Sequence, residues 1–303
     1  MRFFVTGIQG LVGWNLYRHL RQRYETRGFA RTRRGTPGSM WYEDLVEDYR
    51  DIRRIVRDFS PDVIIHAQAM CNLDLCEIKP DKTRQINIET TRWLLDAARP
   101  EKRRFVHLST EHVFSGQKGR YREEDPVDPI SVYGRSRADA EELVRGECTM
   151  ALIIRPGLMI GPSMQKKIGL HDFLKKRLLR GAETTYFVDE IRSPISSEDL
   201  FEGVLHLILE GASGTYHVAG ADRLSRYELS MALARAWGLE PLIRPASRLT
   251  DSIPRIGDCT LDSSKAARAG WRVPRLDIGR IVRTIAQGDR PAECDGLLSG
   301  AVA

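Results

Sequence analysis

A short apolar run at residues 2–5 passes into Thr6-Gly7-Ile8-Gln9-Gly10-Leu11-Val12-Gly13, which opens directly into apolar residues at helical spacing over 11–23. A strand, a turn with glycines at 7, 10 and 13, and an amphipathic helix leave few folds open. The glycines permit a tight turn and a close approach of backbone to a diphosphate, whose charge the unpaired N–H groups and the positive helix end favour. Glycine-rich turns are common in loops. The setting between strand and helix is what points to dinucleotide binding, with Gly7, Gln9, Gly10, Leu11, Val12 and Gly13 as contacts.

The rest of the first half keeps the same rhythm. Residues 63–66, 105–108 and 152–155 are further strand candidates, and 48–59, 83–98 and 136–144 carry helical spacing between them. Alternating strand and helix predicts an α/β protein built on a Rossmann-type, doubly wound parallel sheet. With 303 residues the chain has room for a second domain. The rhythm loosens past 157, where 161–182 reads as a loop followed by a basic amphipathic helix. Farther on, 214–218 is a strand, Ser225 to Glu228 is a capping box before a helix running to 237, and a proline-rich stretch leads to a short helix at 263–269.

No segment approaches 18 uninterrupted apolar residues, and the start lacks the basic region, apolar run and cleavage site of a secretory leader, so the expectation is a cytoplasmic protein with no membrane partner. Five cysteines without paired spacing suggest neither a disulfide framework nor a zinc site, and no metal is expected. The net charge of +6 comes from an arginine-rich set in which nine of 47 basic residues are lysine. It permits anionic ligands without pointing to nucleic acid, and no nucleic-acid partner is expected. At the end of the second strand, where an acidic residue would hold the ribose hydroxyls of NAD, the chain has Arg31, Arg33 and Arg34 instead. Guanidinium forks suit a 2′-phosphate, so NADP(H) is the expected cofactor.

Several motifs carry a family resemblance. The glycine spacing, Leu108-Ser109-Thr110, Tyr133-Gly-Arg-Ser-Arg137 and Arg155-Pro156 resemble an extended short-chain dehydrogenase/reductase. More narrowly, Ser109-Thr110-Glu-His-Val-Phe-Ser-Gly116, Tyr121-Arg-Glu-Glu-Asp125 and Gly214-Thr-Tyr-His-Val218 are similar to the dTDP-4-dehydrorhamnose reductase branch, which also includes the regulatory beta subunit of methionine adenosyltransferase. The resemblance spans the chain and implies a dinucleotide-binding domain over 1–157, to which 188–218 returns, and a smaller α+β C-terminal substrate domain from 158–187 and 219–303.

It also implies a chemistry: NADP(H)-dependent reduction of a ketone on a nucleotide-linked 4-keto-6-deoxysugar. In the family a Ser or Thr and a Tyr hold the carbonyl, and a Lys four residues after the Tyr binds the nicotinamide ribose and lowers the Tyr pKa. By position these roles fall to Thr110, with Ser109 beside it, to Tyr133 and to Arg137. Arg137 is a departure. A phenol titrates near pH ~10, so acting at neutrality asks for roughly 4 kcal/mol of preferential phenolate stabilisation. A guanidinium supplies charge with a different shape from lysine. Glu111-His112 stands where the branch has Asp-Tyr, Glu111 keeping the carboxylate and His112 reading as a structural residue or a donor.

Weaker carry-overs are His66, Ala67 and Gln68 against the cofactor, Asp44 and Leu45 at its adenine, and Asn87 as support for the site. Lys166, Lys167, Lys175, Lys176, Arg177 and Arg180 would suit a substrate diphosphate, or simply form a solvated face. Epimerisation or dehydration with retained cofactor, and a regulatory subunit with lapsed catalysis, are the alternatives. A homodimer is compatible with all of them.

Overall fold

Strand β1 (Arg2–Thr6) is buried almost throughout, the pattern of a parallel strand covered on both faces. A computed structural model describes residues 1–29, 49–99, 103–163, 169–239 and 242–288. After β1 come α1 (Leu11–Leu20), β2 (Glu25–Phe29), α2 (Tyr49–Phe59), β3 (Val63–His66), α3 (Leu73–Ile78), α4 (Pro80–Arg84), α5 (Thr90–Ala98), β4 (Arg104–Leu108), α6 (Val132–Glu147) and β5 (Leu152–Pro156). The second half adds β6 (Met159–Ile160), α7 (Leu170–Leu178), β7 (Thr184–Phe187), β8 (Ile191–Arg192), β9 (Ile195–Ser196), α8 (Ser197–Leu209), β10 (Gly214–Val218), β11 (Leu224–Ser225), α9 (Arg226–Ala236), β12 (Ile243–Ala246), α10 (Ser264–Arg268) and α11 (Ile278–Gly288).

Six strands form one parallel sheet in the order β10-β5-β4-β3-β1-β2. The chain leaves β1 toward β2 and then crosses to β3 on the other side, so the crevice between β1 and β3 is the switch point at which open α/β sheets bind ligands. Thr6 pairs with His66 there, which brings both strand ends to one level. One face of the sheet packs Phe3, Val5, Ile65, Val106 and Leu108 against α1 and α8; the other packs Phe4, Ile64, Phe105 and Ile153 against α2, α5 and α6.

The strand at 214–218 joins this sheet beside β5, in register from Gly214 opposite Leu152 to Val218 opposite Pro156. Helix α8 before it covers the sheet with Leu200, Phe201, Val204 and Leu207. A smaller lobe has its own core, in which Leu174, Leu178, Leu229, Leu233, Ile281 and Ile285 bring α7, α9 and α11 together over the pair β7–β12.

The predicted helix at 83–98 is a composite. Helix α4 runs into a π-helical turn (Gln85–Glu89) and then α5. The extra residue of a π turn swings side chains out of the preceding register, and such turns concentrate near functional sites. Among the described residues no helix is long and apolar enough to cross a membrane.

Candidate active site

The turn after β1 is as tight as its glycines allow. Gly7 has φ +72°, and a Cβ on it would come within 2.7 Å of Ala67 O and Gln68 N. A Cβ on Gly13 would lie 2.3 Å from Gly7 O, so α1 packs directly onto the turn. Gly10 is the N-cap of α1 and supplies no side chain, and the first turn has no acidic residue to compete for the helix end. The open N–H groups and the positive end of the helix dipole therefore face the switch point.

A cleft of about 660 Å³ lies there. Gly7, Gln9, Gly10, Leu11 and Val12 form one wall; Ala67 and Gln68 follow β3; Leu108 and Ser109 end β4; and Tyr133 and Arg137 come from the first turns of α6. Helix α6 starts where it does because Ser131 caps it, its hydroxyl accepting from Gly134 N at 3.0 Å. The i, i+4 spacing then sets Tyr133 and Arg137 on the same face, over the end of β4.

Arg137 is buried, and its Nη2 donates to Leu108 O and to His107 Nε2, the latter at 3.1 Å. Among the described residues its Nε and Nη1 have no hydrogen-bond partner, and neither do Gln9 Nε2 or either amide atom of Gln68. Buried donors without partners are costly, so three such side chains around one cleft mark a place where a polar ligand fits.

Burial pushes the Tyr133 phenol up, against the opposing pull of Arg137 and, more weakly, of the Thr110 hydroxyl. The sequence-based demand for a lowered phenol is therefore not met by the protein alone. The phenol is held protonated, the form needed to give a proton away. The Thr110 hydroxyl, which meets Tyr133, also accepts from His112 N at 3.2 Å.

Ser109 faces the other way. Its hydroxyl donates to Glu141 at 2.5 Å, and Glu141 is itself gripped by Arg155 through two bonds of 2.9 and 2.7 Å. Ser109 lines the cleft, and its hydroxyl proton is held by Glu141 beneath it.

His66 ends β3 beside the cleft-lining Ala67 and Gln68. Its two ring nitrogens meet Thr6 Oγ1 at 2.9 Å and Thr91 Oγ1 at 3.0 Å, so its side chain is spent inside the fold. Asn87, in the π turn, accepts from Met70 N at 2.7 Å and donates to Ser136 at 2.8 Å, tying the loop after β3 to α6.

His112 is half-buried and meets the Tyr133 ring edge-on, with centroids 5.5 Å apart. Burial holds its imidazole well below the usual value, assisted by the charges of Arg192, Arg226 and Arg255. Glu111 is pushed up by burial, although Arg192 approaches it to 3.7 Å. Sequence reasoning missed these three arginines; Ser225-Arg226 signalled only a helix cap. Arg226 and Arg255 line a second cleft of about 510 Å³, which shares Leu11 with the first.

Arg31, Arg33, Arg34, Asp44, Leu45, Lys166 and Lys167 lie outside the described residues. Lys175, Lys176 and Arg177 lie in the last turn of α7 and Arg180 just beyond it, and none of them lines either cleft. Lys175 sits over the Trp237 ring at 5.7 Å, and Arg177 donates to Glu183 O at 2.8 Å.

A doubly wound sheet with a glycine turn at its switch point, and a Tyr and an Arg lining the cleft beside that turn, define an extended short-chain dehydrogenase/reductase. The chain belongs to the family described as the RmlD substrate binding domain, whose model matches residues 1–285. It is similar to the spore coat polysaccharide biosynthesis protein SpsK of Bacillus subtilis, at 32% identity over 249 residues, covering 80% of this chain and 81% of that one.

Among solved structures, a hypothetical dTDP-4-dehydrorhamnose reductase from Sulfolobus tokodaii is 31% identical with a TM-score of 0.78, over 92% of this chain and 98% of that one. The dTDP-4-dehydrorhamnose reductase of Bacillus anthracis, solved in complex with NADP, shares the fold with a TM-score of 0.82 at 21% identity, over 94% and 99% of the two chains.

Proposed function

We propose that the protein is an NADP(H)-dependent reductase of a nucleotide-linked 4-keto-6-deoxysugar or a similar ketone. The observation that carries this reading is that Tyr133 and Arg137, whose Nε and Nη1 have no partner among the described residues, together face the cleft walled by the glycine turn. The residues present fit a dinucleotide. Gly7, Gly10 and the open end of α1 suit its diphosphate, while Gln9, Gln68 and Arg137 offer donors without protein partners. When bound, the reduced nicotinamide supplies a hydride to the carbonyl carbon.

The chain's own groups do the rest. Tyr133, protonated at neutral pH, gives its proton to the oxygen as it becomes an alkoxide, with the Thr110 hydroxyl as the neighbouring group that assists. Arg137 sets a positive charge beside Tyr133, which eases the loss of that proton. His112, kept neutral, is able to donate from one nitrogen and accept at the other beside the Tyr133 ring. The preference for NADP(H) over NAD(H) rests on Arg31, Arg33 and Arg34 and on the lack of an acidic residue there.

The test is NADPH consumption with a panel of nucleotide-linked 4-keto sugars, run beside Tyr133→Phe, together with dissociation constants for NADPH and NADH. Turnover by the parent that Tyr133→Phe abolishes, with NADPH held more tightly than NADH, is the expected outcome. Tight NADPH binding with no turnover on any ketone would refute the reductase reading and leave a nucleotide-binding regulator. Equal affinities for the two cofactors would refute the NADP(H) assignment.

A further inference from the structure

Beneath Arg137 lies a histidine that the proposed chemistry does not use. Strand β4 alternates: Val106 and Leu108 join the core on one side of the sheet, and Phe105 joins Phe4, Ile64 and Ile153 on the other. His107 belongs to the second, apolar side and is fully buried. A polar ring in such a place needs a reason.

Its Nε2 lies 3.1 Å from Arg137 Nη2. A guanidinium carries only donors, so Nε2 accepts and the ring proton sits on Nδ1. Nδ1 has no partner among the described residues, which leaves the bond to Arg137 as this side chain's one hydrogen bond among them. The His66 ring stands behind it at 5.3 Å, itself held by Thr6 and Thr91.

From the side of the arginine, the same contact solves a problem that the family's lysine does not pose. A lysine ends in one nitrogen, whereas a guanidinium is a rigid plane with five N–H donors whose useful direction depends on how the plane is turned. Leu108 O and His107 Nε2 together occupy Nη2. Nε and Nη1, buried without protein partners, are the donors left for the cleft.

We infer that His107 is a positioning residue: as a neutral acceptor under Arg137 it fixes the guanidinium plane so that an arginine serves where the family has a lysine. The inference rests on the role given to Arg137 above.

The test is a cycle in the full-length protein, with His107→Leu and His107→Gln made in the parent and in Arg137→Lys. NADPH dissociation constants and the kcat and KM for the keto sugar are read for each. In the parent, His107→Leu weakens NADPH binding and lowers kcat by about tenfold each while the sugar KM holds, and His107→Gln, which keeps an acceptor, recovers most of the loss. Added to Arg137→Lys, His107→Leu causes no further loss, because a lysine amine does not need the acceptor. Equal losses in both backgrounds, or none in the parent, would overturn the inference by showing that His107 only packs.

A second measurement needs neither cofactor nor substrate. In protein labelled with 15N at histidine, the His107 signal, assigned by its absence in His107→Gln, is expected to show a proton on Nδ1 and an Nε2 that shifts in Arg137→Lys. An Nε2 signal unmoved by that change, or a proton on Nε2, would overturn the inference even if no keto sugar were turned over. Absent turnover with the expected signals would count against the reductase reading alone.

Discussion

Replacing Glu141 by glutamine removes one charge from the floor of the site and almost nothing else. Glu141 is fully buried and accepts from Ser109 at 2.5 Å, from Arg155 at 2.9 and 2.7 Å, and from Arg145 at 2.5 Å. These bonds outweigh the burial that would push its carboxyl up, so it is held below the usual range and stays ionised. Arg145 is exposed enough to return to water, and its loss costs about 0.5 kcal/mol or less. Arg155 cannot return: only 2% of its side chain is exposed, and its other neighbours are His217 and the Phe114 ring. An uncompensated buried charge costs about 3–5 kcal/mol, and for a chain of this size each kcal/mol moves the melting temperature by about 2–4 °C. Glu141→Gln should therefore melt about 6–20 °C below the parent by circular dichroism. In Glu141→Leu/Arg155→Met no charge is left stranded, and more than half of that loss should return. A Glu141→Gln protein melting with the parent, or a double variant as unstable as the single one, would refute the electrostatic argument.

Two more outcomes are set by the geometry. Gly10→Val should leave a folded protein whose NADPH affinity falls by at least about a hundredfold, because a Cβ there meets only Gly7 O at 3.2 Å but stands in the cleft; retained affinity in a fluorescence titration would contradict the diphosphate assignment. Asp172, held at about 2 because bonds from groups including Ser163 and Gly169 overcome the opposing effect of burial, should stabilise the fold above the ~4 of an unfolded aspartate and lose that contribution as pH falls toward 2; the gap in melting temperature between parent and Asp172→Asn should narrow across this window, and a constant gap would refute the assignment.

The features legible in the sequence were those that local chemistry dictates. The glycine turn, the Ser131-capped helix with Tyr133 and Arg137 on one face, and the apolar strands of the sheet all announce themselves within a few residues. Helix α8 carried signals too, a Ser196 cap with Glu198 and Asp199 in its first turn, but it was obscured by the irregular stretch before it. The π turn at Gln85–Glu89 has no comparable signature, since one added residue changes only the register of the helix beyond it. Nor could the arginines around His112 be assembled, because Arg192, Arg226 and Arg255 come from three segments joined only by the folding of the smaller lobe. His107 read as one more strand residue, and only the position of Arg137 gives it a purpose.

Ser109 and Thr110 show how a small rule of backbone geometry divides two residues that the sequence presents as equals. The chain stays extended past Leu108: Ser109 N donates to Ile154 O at 2.6 Å, and Thr110 has φ −161° and ψ 156°. Neighbours on an extended chain point to opposite sides. Ser109 thus follows Phe105 and His107 toward α6 and meets Glu141, while Thr110 turns to Tyr133. Their alanine-scale substitutions should separate accordingly. Ser109→Ala deletes a hydrogen bond to a buried carboxylate and should cost about 1.5–3 kcal/mol of stability. Thr110→Val keeps the shape but removes the hydroxyl proposed to assist Tyr133, and should lower kcat by about a hundredfold with a smaller effect on melting. Melting curves and initial rates on the two proteins decide the matter. If Ser109→Ala lost turnover as steeply as Thr110→Val while keeping its stability, the hydroxyl facing the ketone would be that of Ser109, and the division of the pair drawn from strand alternation would be wrong.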